Sequence, residues 1–238
     1  MIASWWWVLV TLCAGTFASA HAAPAPLQVP DTIAQRVQAC TLCHGKEGRA
    51  TNEGYFPRIA GKPAGYLYNQ LINFREGRRS NATMTYLVEH LSDAYLLEIA
   101  SYFSALDLPY PPPLATPATP ATKSELARGD ALVHRGDATR GIPACVACHG
   151  ALMTGVVPAI PGLLGLPRDY LAAQFGGWRT GQRKAAAPDC MARITSMLTP
   201  DDVSAVATWL ATQTVPLYAK PALAVALPLP IPCGSAGL

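Results

Sequence analysis

Aromatic side chains are scarce in this 238-residue chain, at 8%, and charged ones make up only 14%. The two signs nearly cancel, leaving a formal charge of +3. So small an excess is too weak to suggest a nucleic-acid partner, which needs clustered cations to displace counterions. Residues 23–110 carry eight basic and eight acidic side chains, and residues 111–238 carry ten and seven, so the excess sits in the second part. No pair of segments alternates apolar and polar residues, which argues against a sandwich or barrel. Beyond the N-terminus no apolar run is long enough to cross a bilayer. Residues 222–231 are apolar but short, and Pro228 and Pro230 interrupt them.

Proline and glycine are plentiful, at 22 and 19, and half the residues are apolar. That composition suits small, loop-rich domains with real cores. Residues 1–22 read as an export signal. Ile2 to Ala20 carries no charge, and Ala18-Ser19-Ala20 and Ala20-His21-Ala22 both fit a small-residue cleavage site. An uncleaved anchor is the alternative, since 19 apolar residues just reach across a bilayer. A lipid anchor at Cys13 is disfavoured by Leu12 before it.

An internal duplication organises the rest. Shifted by 104 residues, Pro57 meets Pro161, Gly61 meets Gly165 and Pro63 meets Pro167. Tyr66 and Leu67 meet Tyr170 and Leu171, Gln70 meets Gln174, Arg75 meets Arg179, and Arg79 meets Arg183. Two copies of this size predict two similar domains, at 23–107 and 124–215. A proline-rich linker at 108–123 joins them, and a Pro/Ala-rich tail follows at 216–238. The elements read as helices. Ala64 to Arg75 has apolar residues at helical spacing, and Ser92 and Thr199 are caps for two further helices. Asp31 and Ser124 are expected to cap the helices that open each copy.

Each copy opens with a C-x-x-C-H motif: Cys40, Cys43 and His44, then Cys145, Cys148 and His149. This is the attachment signal of c-type haem. Two thiols at this spacing add to the two vinyl groups of one porphyrin edge, and the following histidine becomes an axial ligand. The same cysteines in a zinc knuckle would need more Cys or His at finger spacing, and a redox dithiol would need a βαβ context. Two covalently bound haems c are therefore expected. A thioether sixth ligand favours Fe(II) and raises the potential. Met84 lies eight residues before Ser92, and Met191 lies eight before Thr199. They occupy matching positions and are the expected ligands, against His90 in the first copy and Met197 in the second. Met153, four residues past His149, is too close to reach the opposite face.

With these motifs, both halves resemble the cytochrome c4 group of dihaem cytochromes c. The resemblance rests on Cys40 to Gly45, Phe56 to Gly61, Tyr66 to Leu71, Phe74 to Gly77, and Met84 ahead of Leu91, Ser92 and Asp93. The counterparts are Cys145 to Gly150, Pro161 to Gly165, Tyr170 to Gln174, Trp178 and Arg179, and Met191 ahead of Leu198, Thr199 and Pro200. It covers about 31–107 and 124–213. It implies an all-α tandem of class I cytochrome c folds with His/Met iron, facing each other across a pseudo-two-fold. It also implies that the carbonyls of Pro57 and Pro161 accept the second imidazole proton of each axial histidine, fixing its tautomer. The implied role is periplasmic transfer of single electrons from a cytochrome bc1-type donor toward a terminal oxidase, with membrane association possible. Alternatives are the cytochrome subunit of a periplasmic dehydrogenase and a dihaem peroxidase. The peroxidase needs an open iron position, which two matched methionines disfavour.

The long linker, the tail, Cys190 and Cys233 depart from that pattern. In an oxidising compartment Cys190 and Cys233 are expected to form a disulfide. Tyr102 and Trp209, at matching positions, are expected as core aromatics. For Arg75, Arg79, Arg179 and Arg183 two readings stand level: partners of haem propionates, or solvated helix ends.

Overall fold

The computed structural model describes residues 29–51, 54–110, 121–223 and 228–237. The expected signal at 1–22, including Cys13, and positions 111–120 of the linker lie outside these. Asp31–Leu238 forms one compact unit. No helix among the described residues is long and apolar enough to cross a membrane.

The first copy runs α1 (Ile33–Arg36), α2 (Gln38–His44), α3 (Ala64–Arg75), α4 (Ala82–Val88) and α5 (Asp93–Ala105). The second runs α6 (Lys123–His134), α7 (Val146–His149), α8 (Arg168–Thr180), α9 (Cys190–Met197) and α10 (Pro200–Thr212). Its strands are minimal: β1 (Gly155–Val156) pairs antiparallel with β2 (Ile160–Pro161). The cap of α1 is Thr32 rather than Asp31, and that of α6 is Thr122 rather than Ser124. Asp31 instead holds the Arg36 guanidinium at 2.7 Å. A capping oxygen must lie three residues before the N–H it accepts from, Gln35 for Thr32 and Glu125 for Thr122, so Asp31 falls one residue too early and Ser124 two too late. Ser92 and Thr199 cap as expected, and Thr199 forms a capping box with Asp202.

Each copy builds its own core. Val37, Leu67, Ile99 and Phe103 cluster in the first, joined by Ile72, Phe74, Val88 and Leu96. Leu132, Val133, Leu171, Phe175, Val206 and Leu210 anchor the second. At about 1.5–3 kcal/mol per buried large apolar side chain, these clusters drive the collapse. In the second copy α6 crosses α10 at Gly129, where a Cβ would lie 2.3 Å from the Ala205 carbonyl oxygen. Tyr102 and Trp209 pack half-buried against their cores.

The copies meet about a pseudo-two-fold axis. Arg79 bridges its own counterpart Arg183, Ser80 N–H donates to the Gln182 carbonyl at 2.8 Å, and Lys184 N–H donates to the Arg78 carbonyl at 2.6 Å. Side chains repeat the symmetry. Arg79 donates to Gln70 and Gln174 at 3.0 and 2.8 Å, and Arg183 donates to Gln174 and Gln70 at 2.7 and 3.2 Å. Arg79 stacks on Phe74 and Arg183 on Trp178.

The tail folds back. Ala222 pairs with β1, its N–H donating to the Gly155 carbonyl and its carbonyl accepting from Val157. Cys190 and Cys233 form the expected disulfide, 43 residues apart in sequence.

Candidate functional site

Helix α2 ends at His44 and α7 at His149, so each motif presents its two cysteines and its histidine from one short helix, Cys145 standing at the N-cap of α7. The chain must then turn sharply. Gly45 and Gly150 take φ of +76° and +84°, and a Cβ at Gly45 would sit 2.3 Å from the Ala50 carbonyl oxygen.

His44 Nδ1 lies 2.8 Å from the Pro57 carbonyl oxygen, and His149 Nδ1 lies 2.7 Å from that of Pro161. A carbonyl only accepts, so each Nδ1 carries the proton and each Nε2 keeps its lone pair. Burial is the main influence on both imidazoles and pushes their pKa down, more than the proline carbonyls raise it. Neutral imidazole with a free Nε2 is the form that binds metal. Burial likewise raises Cys40 and Cys148, and pushes Cys145 up to about 11. Among the described residues, Cys40, Cys43, Cys145 and Cys148 are in no disulfide.

All six motif residues line one continuous cavity of about 950 Å³ that crosses from one copy to the other. This is at the upper end of the range for small-molecule sites, roughly 300–1,000 Å³. Met84 and Met191 line it as well. Met84 sits on α4, its backbone N–H held by the Asn81 side chain at 3.0 Å. Met191 sits on α9, whose cap Asp189 also binds Ala185 N–H and the Trp178 indole. The competitors do not line the cavity. Met153 is buried in the second core, Met197 packs on that core's edge, and the His90 side chain is 91% exposed.

The four arginines divide. Arg75 pairs with Asp93 at 2.6 Å and Arg179 is exposed, whereas Arg79 and Arg183 line the cavity. Further cations line it that the sequence reading missed, Arg58 and Lys62 among them. Arg58 donates to the carbonyls of Ala60, Leu108 and Pro109, and Lys62 donates to that of Gly162 at 2.7 Å. Burial, with Arg58 close by, pushes Lys62 down to about 7. None of these four cations pairs with a carboxylate among the described residues. A largely apolar cavity edged by unpaired cations fits an apolar macrocycle that brings its own carboxylates, as haem does with its propionates. The residues present therefore fit haem, with cysteine and histidine for attachment and ligation. The one sequence signal for Lys62 was a break in the repeat, where Lys62 faces Leu166.

Paired attachment motifs in a duplicated helical fold define a c-type cytochrome. A scan against protein-family models finds no match. The thiosulfate dehydrogenase electron acceptor of Thiomonas intermedia (strain K12) is 37% identical over 74% of this chain and 78% of its own length. Cytochrome c4 of Pseudomonas aeruginosa is 31% identical over 85% of this chain and 96% of its own. Among solved structures, the thiosulfate dehydrogenase TsdBA of Marichromatium purpuratum superposes with a TM-score of 0.63 at 32% identity. That match covers 74% of this chain but only 36% of the longer one. Cytochromes c4 of known structure share the fold. The chain belongs to the cytochrome c4 family: it is an electron-transfer protein with covalently bound haem c.

Proposed function

We propose that the chain holds two haems c. Cys40 and Cys43 attach the first, with His44 and Met84 as axial ligands; Cys145 and Cys148 attach the second, with His149 and Met191. Haem iron supplies one-electron exchange between Fe(III) and Fe(II). The chain's residues do the rest. Pro57 and Pro161 fix the imidazole tautomers, the cores exclude water, and Arg58, Arg79 and Arg183 offset propionate charge. The observation that carries this reading is the presence of both methionines, in register, on the cavity shared by both motifs. With both axial positions filled by protein, the chain carries electrons and catalyses no turnover of its own. Each copy, 23–107 and 124–215, acts as one class I cytochrome domain. The protein is exported to the periplasm by its N-terminal signal, and passes electrons from a respiratory donor to a terminal oxidase.

The names of the two thiosulfate dehydrogenase relatives favour a second reading of the donor: a periplasmic dehydrogenase that oxidises thiosulfate. A pyridine haemochrome assay tests the core of the proposal. Two haems per chain are expected, with the weak near-infrared Met–iron band in the oxidised protein. One haem per chain, or no such band, overturns it. Stopped-flow reduction by a thiosulfate dehydrogenase with thiosulfate, compared with reduction by a bc1-type complex, separates the two donors. Peroxide turnover should be negligible.

A further inference from the structure

We propose that Lys62, carried by the first copy, is a positioning residue that raises the reduction potential of the haem in the second copy. This rests on the reading of His149 as an axial ligand. Lys62 is buried, at 4% exposure, just ahead of α3. Its ammonium crosses the pseudo-two-fold and donates to the Gly162 carbonyl at 2.7 Å. The preceding carbonyl, that of Pro161, accepts from His149 Nδ1 at 2.7 Å. One cation and one axial imidazole therefore hold consecutive carbonyls of the same segment.

That segment is rigid. Pro161 pairs with Gly155 in the β1–β2 ladder, and Gly162 packs so tightly that a Cβ would lie 2.4 Å from the Thr154 carbonyl oxygen. Lys62 has no carboxylate partner among the described residues to neutralise it. In a buried site its charge is weakly screened. Two effects then share one sign. A cation beside the ligand disfavours the extra positive charge of the ferric state. Drawing electron density from the Pro161–Gly162 peptide also weakens the carbonyl that makes His149 more basic. Both favour the reduced state.

The duplication supplies an internal control. The residue matching Lys62 is Leu166, which is buried and uncharged. Among the described residues no ammonium is bonded to the Pro57–Arg58 segment behind His44, and the Arg58 guanidinium is bonded to the carbonyls of Ala60, Leu108 and Pro109 rather than to that of Pro57. Arg79 lies in the field of His44, but its guanidinium is bonded to Gln70, Gln174 and Tyr170 rather than to that segment.

The test is a spectroelectrochemical titration of the full-length holoprotein at pH 6, where the ammonium is charged. Met191→Ala marks which wave belongs to the second haem. Lys62→Met and Lys62→Gln should each lower the reduced-to-oxidised ratio of the second haem about tenfold at a given potential, about 59 mV for one electron. The first haem should move by less than half as much, and Lys62→Arg should restore most of the shift. No shift, a shift mainly in the first haem, or equal shifts in Lys62→Met and Lys62→Arg would overturn the proposal. Wild-type protein lacking the second haem or its Met–iron band would instead refute the reading of the site. An intact wild type with unmoved potentials in Lys62→Met refutes the role of Lys62 alone.

Discussion

Cys233→Ser removes the bond that fastens the tail to the start of α9, one residue from Met191. The bridge closes a loop of 43 residues. In the chain-entropy account a loop of that size is worth about 4 kcal/mol, an upper limit. Three local contacts remain in the variant: Gly234 N–H to the Pro188 carbonyl at 2.9 Å, Asn69 Nδ2 to the Ser235 carbonyl at 3.2 Å, and the edge packing of Leu229 and Ile231. Each hydrogen bond contributes about 0.5–1.5 kcal/mol. Ordering ten tail residues costs more than that, at roughly 1–2 kcal/mol per residue. The tail should therefore detach while the rest of the protein stays folded. Thermal unfolding should drop by up to about 8–16 °C, from about 2–4 °C per kcal/mol in a protein of this size. Leu229, Ile231, Ser235 and Ala236 line the cavity, so detachment also opens it. Imidazole or cyanide should then bind the second haem faster and leave the first unchanged. A variant with wild-type melting and wild-type ligand-binding rates at both haems would show that the tail neither closes the site nor steadies α9.

Met191→Ala should abolish the near-infrared band of one haem and lower its potential, while Met197→Ala leaves both haems intact; spectra of the two variants decide, and the reverse pattern refutes the assignment. Asp202→Asn should destabilise the second copy by about 2–3 kcal/mol in a denaturant melt. The Asp202 side chain is 4% exposed and binds Arg128 and Arg140, each at 2.8 Å, but the two arginine side chains are 41% and 31% exposed, which keeps the cost below the 3–5 kcal/mol of a fully buried pair. The same contacts hold the Asp202 carboxyl well below the usual carboxylate range, against the opposing pull of burial. A lowered carboxylate stabilises above its unfolded value, near 3.8, and that contribution disappears as pH falls through the folded value. Wild type should thus lose stability on acidification below about pH 4 more steeply than Asp202→Asn, and parallel curves would refute it. Gly129→Ala should block the approach of α6 to α10 and sharply reduce soluble holoprotein.

Much of the fold was legible because its signals are local. Helix α3 begins and ends where its apolar spacing does, and α5 and α10 start at hydroxyl caps. The methionines were legible through register, since the duplication prints the same distance to the next cap twice. Their helices were not, because α4 and α9 span seven and eight residues, too few to show a period. Their caps, Asn81 and Asp189, were the available signal. The disulfide followed from counting cysteines, but the pairing of Ala222 with β1 did not, since backbone hydrogen bonds leave no mark on side-chain type. Lys62 escaped for the opposite reason. It breaks the repeat, and a search for matches passes over the position where the copies differ.

The Arg79, Arg183, Gln70 and Gln174 cluster bears on how such a duplication ages. Each guanidinium draws one glutamine oxygen from its own copy and one from the other. Neither copy owns a complete set. A change at Gln70 strips a partner from both arginines at once, and no repair confined to the first copy restores the one lost by Arg183. These four positions are therefore bound to drift together, while Lys62 and Leu166, which share no such contact, are free to part. Divergence between the copies is steered away from these shared contacts and into the places where the two redox centres gain different surroundings.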